Sequence, residues 1–241
     1  MTKRGAQKGS SLFGLGVVAM KSVVYSMKPD NTKAANATHG FEPELDRQLA
    51  AQIRLGTQPH IDAEIQSVLN MRSLLVNGEG ATQVADVLLA YGTFFSPRLR
   101  SLIDELEPNV HHFFEVNVIS KEQLGGKTDH GLYYWLRPPP LIDCLLFPET
   151  KTAADIQGKT WTKNAVREWG GGVARSKPGF IDREKVEGHH FWRTQTGNAK
   201  STFLFTWSDE LYRRYKQAGM RGWEPDLSFE VIDRSTTSAK V

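Results

Sequence analysis

Two short stretches hold most of the side chains that could do chemistry. "NVHHFFEV" (residues 109–116) and "EGHHFWRT" (residues 187–194) each place two imidazoles ahead of two aromatic rings, and histidine is the side chain from which zinc sites and acid–base pairs are most often built. In an extended chain adjacent side chains point to opposite faces, so His111 and His112 cannot both reach one ion, and neither can His189 and His190. One histidine from each pair can still meet across a sheet. A zinc site would need third and fourth ligands, yet the sequence has no Cys-x-x-Cys, no His-Glu-x-x-His and a single cysteine, Cys144. No metal and no cofactor are expected. Nucleophilic chemistry lacks its usual frame as well: there is no Gly-x-Ser-x-Gly elbow, and "GLG" near the start lacks the third glycine of a dinucleotide loop. The acid–base alternatives are His130 beside Asp129 and His189 with Glu187, which as parts of an enzyme would share a cleft and show perturbed proton affinities. The simpler account is strand alternation, with one histidine and Phe113 facing opposite ways from the other histidine and Phe114.

The elements that must position these residues contain a repetition offset from the histidines. "FFSPRLRSLIDELEPNVHHFFEV" (residues 94–116) and "FTWSDELYRRYKQAGMRGWEPDLSFEV" (residues 205–231) both start β-rich, pass through a serine, take on helical apolar spacing, break, and end in "FEV". Ser96 and Ser208 suit the N-cap, where a side-chain oxygen accepts from the free amides of the first turn, and Pro97 or Asp209 suits the position after it. Leu99, Leu102, Ile103 and Leu106 make one helix face; Leu211, Tyr215 and Ala218 make the other, with Gly219 as C-cap. Each half therefore reads as strand, capped helix, returning strand. On this reading "HHFF" lies in the returning strand of the first half and "HHFW" in the entering strand of the second.

Elsewhere "MKSVVYSMK" predicts the first strand, and residues 41–55 predict a helix burying Leu45, Leu49 and Ile53. "HIDAEIQSVLNMRSLLV" reads as part helix and part strand, ended by "NGEG". "KEQLGGKTDHG" predicts a break, and proline and glycine make residues 137–170 irregular. The fold class expected is α+β: mostly antiparallel sheet flanked by helices, built from two related strand-helix-strand halves. Residues 1–19 are expected to be a basic arm and residues 20–241 one domain.

Composition bounds the class. At 241 residues, 39% hydrophobic and 24% charged, the chain can bury a core without staples or metal. One cysteine excludes an intrachain disulfide, and Cys144 in "LIDCLLF" reads as a buried thiol in a cytoplasmic protein. Residues 1–33 hold six cations against Asp30, a net of +5, so the remainder carries −2 of the overall +3. That distribution reads as a solvated tail, and nucleic-acid binding is not expected. The apolar run from Leu12 to Met20 contains two glycines and is too short to span a bilayer.

The order "DVLLAYGTFFSPRLRSLIDELEPNVHHFFEVNV", "GLYYWLRPPPLIDCL", "GHHFWRT" and "FTWSDELYRRYKQAGMRGWEPDLSFEV" resembles the bacterial immunity protein family 11, over roughly residues 77–232. The amino-terminal arm and the glycine-rich stretch "WGGGVARSKPGF" depart from that family's compact pattern. The resemblance implies a non-enzymatic protein whose partner is the catalytic domain of a cognate polymorphic toxin, bound and neutralised in competition between bacteria. The competing class is a hydrolase or modifying enzyme that reverses the toxin's chemistry. An inhibitor needs aromatic and arginine anchors inside a polar rim. "TWTKNAVREWGGGVARSK" supplies Trp161, Arg167, Trp169 and Arg175, the expected partner-binding residues; the alternative is that the two tryptophans simply pack over the sheet.

Overall fold

A computed structural model describes residues 23–29, 38–55, 62–77, 84–89, 92–121, 126–146, 179–196 and 203–233. Their elements run β1 (Val23–Pro29), β2 (Thr38–Glu42), α1 (Arg47–Leu55), α2 (Asp62–Asn70), β3 (Ser73–Asn77), β4 (Val87–Leu89), β5 (Thr93–Phe95), α3 (Pro97–Leu106), β6 (Phe113–Lys121), β7 (Lys127–Leu136), β8 (Leu141–Ile142), β9 (Gly179–Asp182), α4 (Arg183–Val186), β10 (Phe191–Gln195), β11 (Phe203–Ser208), α5 (Asp209–Gln217) and β12 (Trp223–Ile232). The strands form two six-stranded sheets, ordered β8-β10-β11-β1-β12-β9 and β2-β3-β6-β7-β5-β4. Neighbours are antiparallel except β3 with β6, β8 with β10 and β9 with β12. The expected α+β class, mostly antiparallel with helices, is the observed one.

The two related halves are β5-α3-β6 and β11-α5-β12. In each, the entering and returning strands flank one strand antiparallel to both: β7 in the first half and β1 in the second. Entering and returning strands therefore run parallel, a geometry that requires a crossover rather than a hairpin, and the helix supplies it. Both helices start the same way. Ser96 (φ −64, ψ 160) accepts from Leu99 N, and Ser208 (φ −64, ψ 158) accepts from Leu211 N.

Successive side chains of a strand feed different cores. Phe94 turns into a core with Phe41, Leu45, Ile65, Leu69, Val118 and Trp135 beneath α1 and α2. The next residue, Phe95, turns the other way, into a second core with Leu99, Ile103, Phe191, Trp207, Leu211, Tyr215 and Trp223. This second core takes side chains from both sheets and from both crossover helices. Across the other sheet, Val24, Cys144, Ile181, Trp192 and Phe229 make a third. Burying one such aromatic or aliphatic side chain contributes roughly 1.5–3 kcal/mol, against about 1 kcal/mol for a cap, so the shared core dominates the joining of the sheets.

Two backbone details complete the join. Asp86 N and Val87 N donate to Arg221 O at 2.9 and 3.2 Å, bringing β4 against the chain just before β12. Gly222, at φ 116, has no room for a side chain there, since a Cβ would stand 2.5 Å from Val87 O. On the outer side Gln66 of α2 acts as a substitute strand for the end of β6 that β3 does not reach: its Oε1 accepts from Glu115 N at 2.8 Å and its Nε2 donates to Glu115 O at 2.9 Å.

Several local expectations hold: β1 falls in "MKSVVYSMK", and "HIDAEIQSVLNMRSLLV" divides into α2 and β3. Three need correction. The helix expected over residues 41–55 starts only at Arg47, because Phe41 and Glu42 pair with β3 as the end of β2. "KTDHG" is strand rather than break, because Gly131 at φ 78 lets His130 and Gly131 together oppose Val118 as a bulge and β7 continues. "HHFW" does not lead the entering strand of the second half. It leads β10, which pairs antiparallel with the entering strand β11; the intervening chain is long enough to turn back, and the helical spacing marked only the chain beyond Phe205. The amino-terminal arm of residues 1–19 lies outside the described residues.

Candidate functional site

The histidine pairs stand just ahead of their strands, and the fold brings one member of each onto a single carboxylate. Glu107 follows the last turn of α3, and its side chain, 1% exposed, turns inward. Its Oε2 accepts from His111 Nε2 and from Phe191 N, both at 2.8 Å, and its Oε1 accepts from His189 Nδ1 at 3.3 Å. Asn109, at φ 62, makes the turn that returns the chain toward Glu107. His111 packs against the rings of Phe113 and Phe191, with centroids 6.4 and 5.4 Å away. A carboxylate only accepts, so His111 Nε2 carries the proton; its Nδ1 is buried without a partner. Burial pushes the Glu107 carboxyl up, but the hydrogen bond and charge of His111 and the amides of His190 and Phe191 outweigh it. The group is held below the ordinary carboxylate range.

A second buried carboxylate ties the opposite end of α3. Asp86 accepts from Ser96 Oγ at 2.6 Å, from Arg98 Nε and Nη2 at 2.6 and 2.7 Å, and from Arg221 N at 2.9 Å. Arg98 Nη1 reaches Ala218 O at the end of α5, 3.2 Å away. Arg98 is the wall between two shallow clefts: one of about 380 Å³ running to His130 and Tyr133, the other of about 600 Å³ between α3 and α5, running to Arg214 and Met220.

The pairings that sequence adjacency suggests are not those the fold makes. His130 Nε2 lies 2.9 Å from Ser120 Oγ, while Asp129 Oδ1 accepts from Gly131 N at 2.8 Å. His189 takes Glu107 rather than Glu187, and His190 Nδ1 takes the cap Ser208 Oγ at 2.9 Å. Ser120 is 3% exposed, which withholds its hydroxyl from a substrate. Cys144 is fully buried beside Thr194, and burial pushes its thiol up to about 11, so it stays protonated and inert. Among the described residues no three His, Cys, Asp or Glu side chains converge to hold a metal ion. The proposed contact residues Trp161, Arg167, Trp169 and Arg175 lie outside the described residues.

Sequence reasoning missed Glu107 and Asp86. For Glu107 a signal existed: an acid at a helix C-terminus opposes the macrodipole, so its presence in "LEP" asks for a compensating donor. Asp86 had none, because its partners are fixed by β4, α3 and a turn 135 residues away.

Fold and geometry define a two-sheet α+β protein in which histidines and buried carboxylates tie one sheet to the other. The Immunity protein family (Imm11) matches residues 25–227, and the chain belongs to that family. Curated proteins contain no match to it. Among the described residues no helix is long and apolar enough to cross a membrane.

Proposed function

We propose that the protein neutralises a cognate bacterial polymorphic toxin by binding its catalytic domain stoichiometrically and occluding the active site or its approach. The observation that carries this reading is the family match over residues 25–227. The chemistry of the described interior supports it: His111, His189, His190, Glu107 and Asp86 are each engaged in a bond that fixes a helix end or a strand start, which is the demand a rigid binding scaffold makes. Trp161, Arg167, Trp169 and Arg175 remain the proposed contact loop, and the cytoplasm the proposed compartment, where a toxin entering a cell would be met.

The test is a pull-down from the source bacterium with the tagged full chain, followed by co-expression of the recovered toxin domain. A one-to-one complex that survives a salt wash, with rescue that scales with the amount of this protein, is the expected result. Rescue at far below one protein per toxin would replace binding with turnover, the activity of a modifying enzyme. With the complex in hand, Trp169→Ala and Arg175→Glu are expected to weaken it without unfolding the protein; unchanged affinity in both would take that loop out of the interface.

A further inference from the structure

One arginine in the β10–β11 pair has no counter-ion among the described residues. Arg193 stands opposite Phe205, and Gln195 opposite Phe203, on the sheet face that begins with Phe191 and Trp207. Phe191 and Trp207 are 0% exposed, whereas Arg193, Phe203 and Phe205 are only partly covered. The Arg193 guanidinium lies over the Phe203 ring, 4.9 Å from its centroid, and Phe203 meets Phe205 edge-on at 5.3 Å. Its Nε donates to Pro139 O at 2.8 Å. That is the side chain's one hydrogen bond among the described residues, where no carboxylate pairs with it.

Four other arginines near the sheets are matched to carboxylates: Arg98 to Asp86 at 2.6 Å, Arg137 to Asp62 at 2.8 Å, Arg183 to Asp233 at 2.8 Å and Arg214 to Glu105 at 2.6 Å. Arg193 is half-buried and, among the described residues, unmatched, and loss of hydration alone pulls its proton affinity down. A cation stripped of water without a partner is unfavourable. The ring beneath it and the bond from Nε hold the guanidinium plane, leaving the two terminal nitrogens as a preset fork for a carboxylate.

We propose that Arg193 and Phe203 form an anchoring point on this protein for its toxin partner, accepting an aspartate or glutamate side chain from the partner's surface beside an apolar contact. This rests on the toxin-binding reading above. The surroundings favour a protein carboxylate over a nucleic-acid backbone: β10 (FWRTQ) and β11 (FLFTWS) hold no second lysine or arginine, whereas phosphate binding draws on several cations along a strand. Aromatic and arginine side chains at a partly dry surface are also the composition that dominates interface energetics.

The experiment uses the full chain and, as probe, the toxin domain recovered by the rescue assay, with affinity measured by calorimetry and folding by thermal unfolding. Arg193→Gln is expected to bind roughly tenfold to a hundredfold more weakly. Arg193→Lys should fall between it and wild type, because an ammonium keeps the charge and loses the planar fork. An arginine that merely ties β10 to Pro139 predicts a lower unfolding midpoint with unchanged affinity, and that result would overturn the anchor. Should the glutamine variant not fold, phenylglyoxal modification of the wild-type chain decides: Arg193 is expected to react in the free protein and to be protected in the complex, and equal reactivity in both overturns the proposal. A wild-type chain that binds its toxin while Arg193 variants bind equally well loses the anchor alone. A wild-type chain with no toxin partner loses the toxin reading, and the anchor with it.

Discussion

The two strand-helix-strand halves begin alike and end differently. At their helix starts Ser96 and Ser208 share backbone angles to within 2° in ψ and make the same bond to the amide three residues on. At their helix ends both halves close a backbone bond four residues back, Glu107 N onto Ile103 O and Ala218 N onto Arg214 O, and both turn on a residue at φ 62, Asn109 and Gly219, a local solution any isolated helix could use. The first half adds the carboxylate of Glu107, which takes bonds from His111, His189 and the amide of Phe191. Both halves thus stop their helices with a backbone conformation, and the first adds a bond to the opposite sheet. Serine capping is therefore repeated at both crossover helices, while the carboxylate tie at the helix end is made in the first half only.

The sharpest way to break that comparison is to remove each helix end in turn. Glu107→Ala leaves three buried or half-buried donors without an acceptor and is expected to destabilise the fold by about 3–5 kcal/mol. Gly219→Ala forces a Cβ into the left-handed region and should cost about 1–2 kcal/mol. Urea midpoints at constant slope measure both, and equal losses would mean Glu107 ties nothing across the sheets. The same carboxylate sets a pH dependence. Its folded-state proton affinity lies below the ordinary value of 4.5, so the stabilisation it contributes is present above that value and is lost as the pH falls from 4.5 through the lower folded-state value. Glu107→Gln should flatten this acid limb, and an unchanged limb would assign it to other carboxylates.

The helix starts should differ less. Ser96 caps α3 and also donates to buried Asp86 at 2.6 Å; Ser208 caps α5 and pairs with the partly buried His190. Ser96→Ala is expected to cost about 2 kcal/mol and Ser208→Ala about 1 kcal/mol. A reversed order in urea midpoints would show that the Asp86 cluster relaxes around the missing hydroxyl. The smallest effect belongs to the bond that joins the two helices directly. Arg214 and Glu105 meet at 2.6 Å, but Glu105 is 63% exposed. Solvent screens such a pair, so Glu105→Gln should leave the midpoint unchanged within error, and a clear shift would make the helix pair more than a by-product of the shared core.

Much of this contrast was open to sequence reading, because caps and helical faces depend on residues within a turn of one another. Ser96, Ser208, Leu99, Leu211, Tyr215 and Gly219 were all placed correctly from spacing alone. The histidines show where that reach ends. Alternation left open a meeting of one histidine from each pair, but nothing local named Glu107 as the place where they meet. The strand order was hidden for a related reason. That β7 and β1 slot between the entering and returning strands of the two halves depends on chain far outside either repeat.

What the amino-acid sequence determined by itself was the class of the protein, the two capped crossovers and its family, since each is written in residue types and spacings a few positions apart. Only the tertiary structure decided which groups meet: buried Asp86 with Arg98 and the Arg221 amide, buried Glu107 with His111 and His189, and Arg193 over Phe203 with no carboxylate beside it among the described residues. Removal from water makes a charge demand its partner, and how much water a side chain loses is set by elements that come from everywhere in the chain.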